Sequence, residues 1–442
     1  MKIIFVNRFF YPDHSATSQM LSDLAFALAK HGHKIVVITS RQSYDNNPDK
    51  LARHETINGT EVIRVASSRL GRHNLMGRVV DYVTFFMTVI PAILKHTVKG
   101  DIVVAKTDPP LISILVAPLT WLKGARFINW LQDIFPEIAT ELKFSKSRLS
   151  KRFVSVLGKL RNRSLRYANA NVVLGENMAT KLTKSGIAEK NIHIIHNWSD
   201  GTLVSPIDVS DNAFRRTCYC ENSFVVGYSG NLGRAHDYET ILHAIEKIEH
   251  RHRPNTISQN ERCTKNFPGN TPTSNTIVQW LFVGGGISSN ALKQEITARG
   301  LTSVAFQPYQ PRKILAASLS VPDLHLVSLR PELEGLIVPS KYYGVAAAGR
   351  PAIFIGDKNG EVAKIIHRSN TGSVVTPGDD DELVRQVLRY ANNPDLVKKQ
   401  GQNARSLFET EFDFPIALQA WEQLLSQVMS ADVKKKINKF RQ

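Results

Sequence analysis

The sequence predicts an α/β protein built from two doubly wound, Rossmann-like domains. A chain of 442 residues is too long to fold around one hydrophobic core. Its N-terminal part alternates between patterns typical of buried strands and of amphipathic helices, and the alternation starts again near residue 224 after a polar stretch. Two such series favour two parallel sheets, each with its own helices.

The first domain is expected to span residues 1–200 and to open with a βαβ unit. An apolar run at residues 2–7 precedes a helix at residues 19–30, and a second strand follows at residues 35–39. Gly32 stands between that helix and that strand, where a glycine commonly ends a helix. The alternation continues with apolar runs at residues 61–65, 102–105, 127–131, 170–174 and 193–195.

The second domain is expected to span residues 201–415, after a linker at residues 198–222 that is rich in turn-forming residues. Residues 250–275 are polar and lack an apolar period, so they are interpreted as a surface insertion. A terminal helix with a basic tail should occupy residues 416–442. The predicted strands lie at residues 224–228, 276–283, 304–306, 324–328, 352–355 and 372–375.

The charge and the cysteines limit the classes of partner. The net charge is +17, and residues 1–200 hold 28 Lys and Arg against 15 Asp and Glu, which gives +13. An excess of this kind indicates that the first domain faces something anionic, either nucleic acid or a membrane. The three cysteines form no metal-ligand array, so no metal site is expected. Residues 1–13 do not match a signal peptide, which favours a cytoplasmic protein with reduced thiols.

Three segments bear on the choice between membrane and nucleic acid. Residues 82–94 and 111–122 are uncharged and mostly apolar, but both are shorter than the roughly 18–20 residues of a spanning helix. They are core helices or part of a surface that meets a membrane. Residues 146–166 carry eight basic side chains and no acidic one, a pattern that anionic headgroups attract. A solvated face or a nucleic-acid patch is the alternative, although no nucleic-acid motif is present and no such partner is expected.

Residues 331–351 contain the most informative group of candidate binding residues. The segment opens with Glu332, Glu334 and Gly335, and then passes a helix start at Ser340 and Lys341. A serine before a helix can cap its free N–H groups, and that end of a helix attracts anions. The segment therefore predicts carboxylates for sugar hydroxyls and an ammonium for phosphate, unless it is an ordinary loop, helix and strand.

Two glycine-containing loops follow predicted strands of the second domain. The first loop contains Gly230, Asn231, Gly233 and Arg234, so that backbone N–H groups and a guanidinium could approach an anion. The second contains Gly284 and Gly285, a strand-to-helix turn that is common in α/β folds. Because ligands of open α/β sheets sit beyond the carboxyl ends of strands, these loops and residues 331–351 are expected to share a site.

The chain resembles family 4 of the retaining glycosyltransferases, and within it the bacterial exopolysaccharide and O-antigen enzymes. The resemblance rests on the order and spacing of several short motifs along nearly the whole chain. They occupy residues 10–13, 107–110, 131–137, 194–200, 229–237, 331–351 and 360–366.

The resemblance implies a GT-B fold, with two domains facing across a cleft, and transfer of a sugar from a nucleotide diphosphate without a metal or other cofactor. It further implies a UDP-sugar donor of hexosyl or N-acetylhexosaminyl type, a lipid-linked glycan acceptor and a peripheral place at the inner face of the plasma membrane. Arg234 and Lys341 match the cations that steady the diphosphate, and Glu334 matches the carboxylate near the transferred sugar. These three are the predicted catalytic residues.

The remaining predicted contacts follow from the same resemblance. Asp133 and Glu137 are expected to bind the acceptor, with capping of the next helix as the alternative. The predicted donor contacts are Ser15, Ala16, Thr17, Gly230, Asn231, Gly233, Gly284, Gly285, Tyr309, Gly335 and Ser340, with Tyr309 placed where the family holds the base.

Some positions depart from the family pattern. The second glutamate, which holds the ribose, falls on Gly344, and the lysine after the first loop falls near His236, with Arg234 as its substitute. His236 is expected to make local hydrogen bonds and not to act as a base. A sugar-nucleotide epimerase of similar architecture and a non-catalytic membrane- or nucleic-acid-binding protein are the competing functions.

Overall fold

The computed structural model of the protein describes residues 1–13, 15–42, 51–70, 75–142, 148–218, 223–252 and 276–440, without the side chains of residues 75–76, 148–151, 252 and 431–440. The chain divides into two compact units. The first comprises Met1–Asn197, Gly335–Val338 and Pro415–Gln442, and the second comprises Trp198–Glu334 and Pro339–Phe414. The predicted insertion at residues 250–275 lies almost wholly outside the described residues.

The first unit is built on one sheet. Its strands are β1 (Lys2–Val6), β2 (Lys34–Ser40), β3 (His54–Ile57), β4 (Thr60–Val65), β5 (Ile102–Lys106), β6 (Arg126–Trp130), β7 (Ala170–Val173) and β8 (Ile192–Ile194). They lie in the order β3-β4-β2-β1-β5-β6-β7-β8. Every neighbouring pair is parallel except β3 and β4. Helices cover this parallel core on both faces, which is why β1, β2 and β5 are almost wholly buried and form apolar runs in the sequence.

The antiparallel pair was not predicted. β3 and β4 are joined by a turn in which Asn58 and Gly59 both have positive φ, at 47° and 78°. An Asn-Gly pair in this conformation is the favoured two-residue hairpin connection, because its twist matches that of the strands. The hairpin places one antiparallel strand at the edge of a parallel sheet.

Within the described residues before position 198, six α-helices accompany the sheet of the first unit. They are α1 (Ala16–Lys30), α2 (Leu75–His96), α3 (Ile112–Lys123), α4 (Glu137–Glu141), α5 (Arg148–Tyr167) and α6 (Glu176–Lys184). α2 is longer than the apolar run at residues 82–94, because Asp81 is buried and pairs with Arg8 and so does not end the helix. Among the described residues, Gly77–His96 is the one segment long and apolar enough to cross a membrane. One face of this helix, with Phe85, Val89 and Ile93, nevertheless belongs to the hydrophobic core.

The second unit has a six-stranded, fully parallel sheet. Its strands are β9 (Phe224–Asn231), β10 (Val278–Gly285), β11 (Val304–Gln307), β12 (Leu324–Ser328), β13 (Ala352–Ile355) and β14 (Gly372–Val375), in the order β11-β10-β9-β12-β13-β14. Its helices are α7 (Ala213–Thr217), α8 (Glu239–His252), α9 (Ile287–Ala298), α10 (Leu315–Ser320), α11 (Lys341–Ala347), α12 (Glu361–Ser369), α13 (Asp380–Ala391) and α14 (Pro394–Leu407). Residues 198–218, expected to form a linker, belong to this unit and contain α7.

The last helix, α15 (Phe414–Phe440), packs on the first unit. Trp421 is fully buried, and its ring meets the ring of Trp130 edge to face at 4.9 Å. Arg126 donates to the backbone oxygen of Met429 in the same helix. The end of the chain thus stabilises the first unit, whereas the sequence predicted only a separate helix and tail.

Candidate active site

The candidate site of the second unit lies at the carboxyl end of β9. β9 pairs with β10 on one side and with β12 on the other, so the strands that follow β9 in the sequence lie on both sides of it in the sheet. Open α/β sheets bind ligands at such a switch point, where the loops after neighbouring strands separate. The last residues of β9 and β10, together with the loops after β9 and β12, contain most of the donor contacts that the sequence predicts in the second unit.

Two of these loops are held together through glycine. Gly284 pairs in register with Gly230, and a Cβ atom at Gly284 would lie 2.4 Å from the Gly230 carbonyl oxygen. A Cβ at Gly286 would lie 2.3 Å from Asn231 Oδ1. Gly284 and Gly286 also have positive φ, at 124° and 122°, which other residues rarely adopt. Only glycine therefore allows this close approach of the two backbones.

Backbone hydrogen bonds fix the same turn. The Leu232 N–H donates to the Gly285 carbonyl at 2.7 Å, and the Ser288 N–H donates to the Leu232 carbonyl at 3.0 Å. The Ser288 hydroxyl donates to the Gly233 carbonyl at 3.1 Å. The turn is thus rigid, and it carries Asn231 and Arg234 with exposed side chains.

Lys341, the first residue of α11, extends beside this turn. A Cβ at Gly230 would lie 3.1 Å from Lys341 Cε, so glycine leaves the space through which the lysine passes. The Lys341 Nζ atom lies 3.2 Å from His236 Nε2 and 5.4 Å from the centre of the Tyr228 ring. His236 Nδ1 lies 2.7 Å from the Ser328 carbonyl oxygen.

These contacts determine the protonation of the pair. A carbonyl can only accept, so His236 Nδ1 carries a proton and Nε2 is left to accept from the Lys341 ammonium. Burial and the nearby Lys341 charge lower the pKa of His236 to about 3, so the imidazole is neutral. Burial lowers the pKa of Lys341 to about 8, although part of its side chain is still accessible. Lys341 is thus a cation at neutral pH, oriented by a neutral histidine.

Tyr309 lies at the edge of the site. Its side chain is 59% exposed, and a Cβ at Gly285 would lie 3.4 Å from its ring. After burial, the proximity of Tyr309 is the second cause that raises the pKa of Tyr228. An exposed ring against a glycine backbone offers a flat apolar face beside the turn.

Glu334 contacts the start of a helix, a partner that the sequence did not indicate. One of its carboxylate oxygens accepts from the Glu361 N–H, at 2.9 Å, where α12 begins. A Cβ at Gly360 would lie 2.7 Å from the other oxygen, so this glycine makes room for the carboxylate. The start of a helix attracts a negative charge, which gives Glu334 a structural role in addition to any contact with a sugar.

The first unit contains a second cluster of charged residues, at the carboxyl ends of β1, β5 and β6. Lys106 is buried, donates from Nζ to the Thr17 carbonyl at 2.9 Å, and lies 3.7 Å above the Trp130 ring. Burial lowers its pKa well below the ordinary value, opposed by nearby carboxylates that include Asp108 and Asp133. The contact with Thr17 ties this lysine to the start of α1.

Both carboxylates titrate near neutrality. Burial raises the pKa of Asp108 to about 6, against the opposing charge of Arg8. Burial also raises the pKa of Asp133 to about 6, and the charge of Asp108 adds to this effect while Lys106 opposes it. Asp133 lines a narrow pocket with room for about one water molecule. In the part of the chain that the structure describes, no group of three or more His, Cys, Asp and Glu residues could hold a metal ion.

Comparison with known proteins finds a family match in the N-terminal part of the chain. The sequence profile of Glycosyltransferase Family 4 matches residues 17–200. The probable glycosyltransferase WbjE of Pseudomonas aeruginosa is 24% identical over 339 residues, which cover 75% of this chain and 76% of that protein. Residues 17–200 thus match glycosyltransferase family 4, and the chain is distantly homologous to bacterial glycosyltransferases.

Two further comparisons cover nearly the full length of this chain. The putative colanic acid biosynthesis glycosyl transferase WcaI of Escherichia coli strain K12 is 20% identical over 421 residues, 93% of this chain and 97% of that protein. The crystal structure of Anabaena Alr3699/HepE in complex with UDP and glucose superposes with a TM-score of 0.69 at 17% identity, covering 97% of this chain and all of that one. The predicted fold of two parallel-sheet, Rossmann-like domains is thereby confirmed as that of GT-B proteins.

The donor residues predicted from the sequence divide into groups. Most of them lie at or beside the carboxyl ends of β9 and its neighbours in the second unit. This group comprises Gly230, Asn231, Gly233, Arg234, Gly284, Gly285, Tyr309, Ser340 and Lys341. Ser340 makes no side-chain capping bond to α11, contrary to the expectation from the sequence, because its backbone is already helical. Gly335 groups with the first unit, where its Cβ position lies 3.0 Å from the Asn177 carbonyl of α6, so packing against α6 accounts for this glycine.

The predicted residues of the first unit also have local partners. Ser15, Ala16 and Thr17 form the start of α1, and Ser15 donates its N–H to Asp13 Oδ1 at 2.8 Å. Glu137 pairs with the buried Arg161 at the beginning of α4, which accords with the alternative of a helix-start residue. Asp133 remains the acceptor candidate whose carboxylate lines a pocket.

Sequence reasoning missed two residues. His236 contacts Lys341 in the candidate site, whereas the sequence suggested only local hydrogen bonds for this histidine. Lys106 was not singled out, although a lysine at the end of the apolar strand β5 is an unusual residue in a buried position.

Proposed function

We propose that this protein is a glycosyltransferase that transfers a hexose or N-acetylhexosamine, with retention of configuration, from a UDP-sugar to a lipid-linked glycan in polysaccharide biosynthesis. The name of WcaI, which refers to colanic acid biosynthesis, supports the polysaccharide context. The UDP and glucose found with HepE support a uridine donor. The lipid-linked acceptor is inferred from the basic segment at residues 146–166 of the first unit, which suits a cytoplasmic enzyme at the membrane.

The observation that carries the proposal is the Lys341 ammonium, held 3.2 Å from neutral His236 beside the turn of Gly230 and Gly284. A diphosphate needs positive charge and backbone N–H groups that can approach closely, and the glycines allow that approach. Arg234 on the same turn has an exposed guanidinium of the kind that binds phosphate through two parallel hydrogen bonds. The Tyr309 ring offers a surface for the base at the edge of this site.

The proposed transfer step is a front-face displacement. The acceptor hydroxyl oxygen forms a bond to the anomeric carbon while the bond from that carbon to the diphosphate oxygen breaks. The proton of the hydroxyl passes to the leaving phosphate oxygen, so no protein base is required. Lys341 and Arg234 stabilise the negative charge that develops on the diphosphate, and the loss of one such group typically costs about 10²–10³ in rate.

The acceptor side rests on Asp133 of the first unit. With a pKa of about 6, its carboxylate is largely ionised at pH 7.5 and can accept hydrogen bonds from sugar hydroxyls. Lys106 compensates part of that negative charge, since its position lowers the pKa of Asp133. We assign to Asp133 the orientation of the acceptor, and not the removal of its proton.

One assay tests the whole proposal. The purified protein is incubated with a panel of UDP- and GDP-sugars, with and without a membrane lipid extract, and free nucleotide is measured with and without EDTA. Lipid-dependent release of UDP that EDTA does not abolish is the expected result. Conversion to another sugar nucleotide would indicate an epimerase. An absence of turnover with every donor would favour a non-catalytic binding protein.

Variants of the donor site make the test specific. Lys341→Ala and Arg234→Ala should each lower kcat/KM by about 10²–10³ while the melting temperature stays within a few degrees of wild type. Lys398→Ala is the matched control, because Lys398 is an exposed cation of the same unit on α14. Near-wild-type turnover of Lys341→Ala would refute the assignment of the donor site.

A further inference from the structure

The loop after β12 carries an exposed cation, Arg330, that the proposed transfer step does not use. We propose that Arg330 binds the distal phosphate of the nucleotide-sugar donor, which is the phosphate joined to the transferred sugar. The inference rests on the proposed function, because it takes the donor to be a nucleoside diphosphate sugar. It adds to that function a residue that distinguishes one phosphate of the donor from the other.

The backbone of Arg330 is joined to the turn that follows β9. β12 pairs with β9 through its first two residues, and beyond that pairing the loops after the two strands are bonded to each other. The Arg330 N–H donates to the Ala235 carbonyl at 2.9 Å, and the Asp237 N–H donates to the Ser328 hydroxyl at 2.8 Å. His236 Nδ1 lies 2.7 Å from the Ser328 carbonyl oxygen in the same pair of loops. These bonds hold Arg330 beside the candidate site.

The Arg330 guanidinium is accessible although its backbone is fixed. Pro331 follows it and disfavours a helical conformation, and Arg330 has an extended backbone with φ of −62° and ψ of 134°. The Leu333 N–H donates to the Arg330 carbonyl at 3.0 Å. In the part of the chain that the structure describes, no ion pair or side-chain hydrogen bond engages the guanidinium, and the exposed Glu332 forms none with it. An anion can therefore bind Arg330 without first displacing a carboxylate.

The order of the strands gives the direction in which the donor lies. Tyr309 follows β11, the glycine turn joins β10 and β9, and Arg330 follows β12. The strands lie in the order β11-β10-β9-β12, so Tyr309 and Arg330 follow strands that are three spacings, or about 14 Å, apart. A donor with its base against Tyr309 and its diphosphate at the turn then points its sugar toward β12. The phosphate nearest to Arg330 is the distal one.

Arg330 complements Lys341 in both position and charge. Lys341 passes Gly230 and contacts His236 Nε2, whereas Arg330 is bonded to the chain just before that histidine. Burial lowers the pKa of Lys341 to about 8, so this lysine loses part of its charge in weakly alkaline solution. A guanidinium remains charged there and can form two parallel hydrogen bonds with one phosphate. Arg330 thus offers a permanent charge where negative charge develops as the bond to the sugar breaks.

A carboxylate on the transferred sugar is the other group that this guanidinium could recognise. Carboxylates and phosphates both accept two parallel hydrogen bonds from an arginine. The strand order places Arg330 where the distal phosphate meets the sugar, so an acidic sugar would present its carboxylate on the same side. We assign Arg330 to the phosphate, because every donor of the proposed class carries a distal phosphate and only uronic acid donors carry the carboxylate.

The test compares ligands that differ by the distal phosphate. Isothermal titration calorimetry measures the affinity of the full-length protein for UDP and UMP, with GDP and GMP as a second pair. Arg330→Gln should weaken UDP binding by about tenfold or more, because it removes a charge-assisted hydrogen bond, and should leave UMP binding as in wild type. Arg330→Lys keeps the charge but loses the paired bonds, so its affinity for UDP should lie between those of wild type and Arg330→Gln.

A matched variant controls for the loss of one positive charge. Arg389→Gln removes an exposed arginine of the same unit, in the last turn of α13, and should bind UDP like wild type. The melting temperatures of Arg330→Gln and Arg389→Gln should both stay close to that of wild type, because both side chains are exposed. UDP-glucose and UDP-glucuronate are titrated with the same variants, so that a contact with a sugar carboxylate is detected separately.

Each other outcome overturns the assignment in a recognisable way. Equal affinity of wild type and Arg330→Gln for UDP would exclude the contact, and an equal loss for UDP and UMP would move it to the proximal phosphate. A loss confined to UDP-glucuronate would assign the guanidinium to a sugar carboxylate. A wild-type protein that binds UDP or GDP but releases no nucleotide from any sugar donor would contradict the proposed function alone. A wild-type protein that binds no nucleoside diphosphate would overturn both proposals.

Discussion

Replacement of His236 tests whether the charge of Lys341 depends on a neutral imidazole. His236 Nδ1 donates to the Ser328 carbonyl at 2.7 Å, and Nε2 lies 3.2 Å from Lys341 Nζ. His236→Asn can keep the first bond, because its amide nitrogen occupies the position of Nδ1, but it has no acceptor near Lys341. His236→Gln places an amide oxygen near the position of Nε2 and can keep the second bond. The two variants therefore test separately the bond of His236 to Ser328 and its bond to Lys341.

The magnitude follows from the hydrogen bond that Asn removes. A hydrogen bond to a charged group contributes about 1.5–3 kcal/mol, part of which a water molecule can restore. One pKa unit corresponds to about 1.4 kcal/mol, so His236→Asn should lower the pKa of Lys341 by about one unit. From its value of about 8, the pKa would fall to about 7. At pH 7.5 the protonated fraction of Lys341 then falls from about three quarters to about one quarter.

The assay is the pH dependence of kcat/KM for UDP release between about pH 6 and pH 9, which reports groups of the free enzyme. Wild type should lose activity as pH rises through about 8, because Lys341 loses its proton there. In His236→Asn this alkaline limb should move to lower pH by about one unit, whereas the pH profile of His236→Gln should resemble that of wild type. An alkaline limb of His236→Asn that coincides with that of wild type would refute the reasoning.

Three further predictions concern single residues elsewhere. Asp133→Asn should lower transfer and raise the melting temperature at pH 8. A carboxyl group whose pKa is raised to about 6 destabilises the folded state when it is ionised. The gain in stability from the substitution is therefore full above about pH 6 and absent below about pH 4. Lys106→Met removes the cation near Asp108 and Asp133, so the acidic limb of the pH profile should move to higher pH, and an unchanged limb would contradict this role. Gly284→Ala should lower the melting temperature by several degrees or prevent folding, since its Cβ would lie 2.4 Å from a backbone oxygen, and a wild-type melting curve would contradict the contact.

The turn of Gly230 and Gly284 was predictable because its determinants are local. Glycines at the ends of two apolar strands, before helices, indicate close backbone approach, and the structure pairs Gly230 with Gly284 in register. The position of Lys341 beside Gly230 also followed from the rule that ligands gather at the carboxyl ends of strands. The Asn58-Gly59 hairpin was equally local and could have been predicted, but the expected alternation of parallel strands obscured it.

The partners of charged side chains were not predictable, because they are set by residues distant in sequence. Glu334 accepts from the N–H of Glu361, 27 positions away, and nothing in the segment around Glu334 indicates this contact. Arg161 was counted among the surface charges, yet it is buried against Glu137, 24 positions away. Asp81 suggested the end of an apolar segment, whereas its contact with Arg8 allows α2 to begin earlier.

Gly344 bears on how strongly the proposed donor site depends on the contact between Lys341 and His236. The family pattern has a ribose-binding carboxylate at this position, and here a Cβ would lie 3.4 Å from Leu319 Cδ1, so this side of α11 packs on an apolar side chain. Loss of a charge-assisted hydrogen bond costs about 1.5–3 kcal/mol, or about tenfold or more in affinity. Ribose is common to all such donors, so under the proposed function a weaker ribose contact lowers affinity without altering the choice of sugar. Under the same proposal, binding depends more strongly on the diphosphate, and so on the charge of Lys341, whose pKa the bond to His236 is expected to raise.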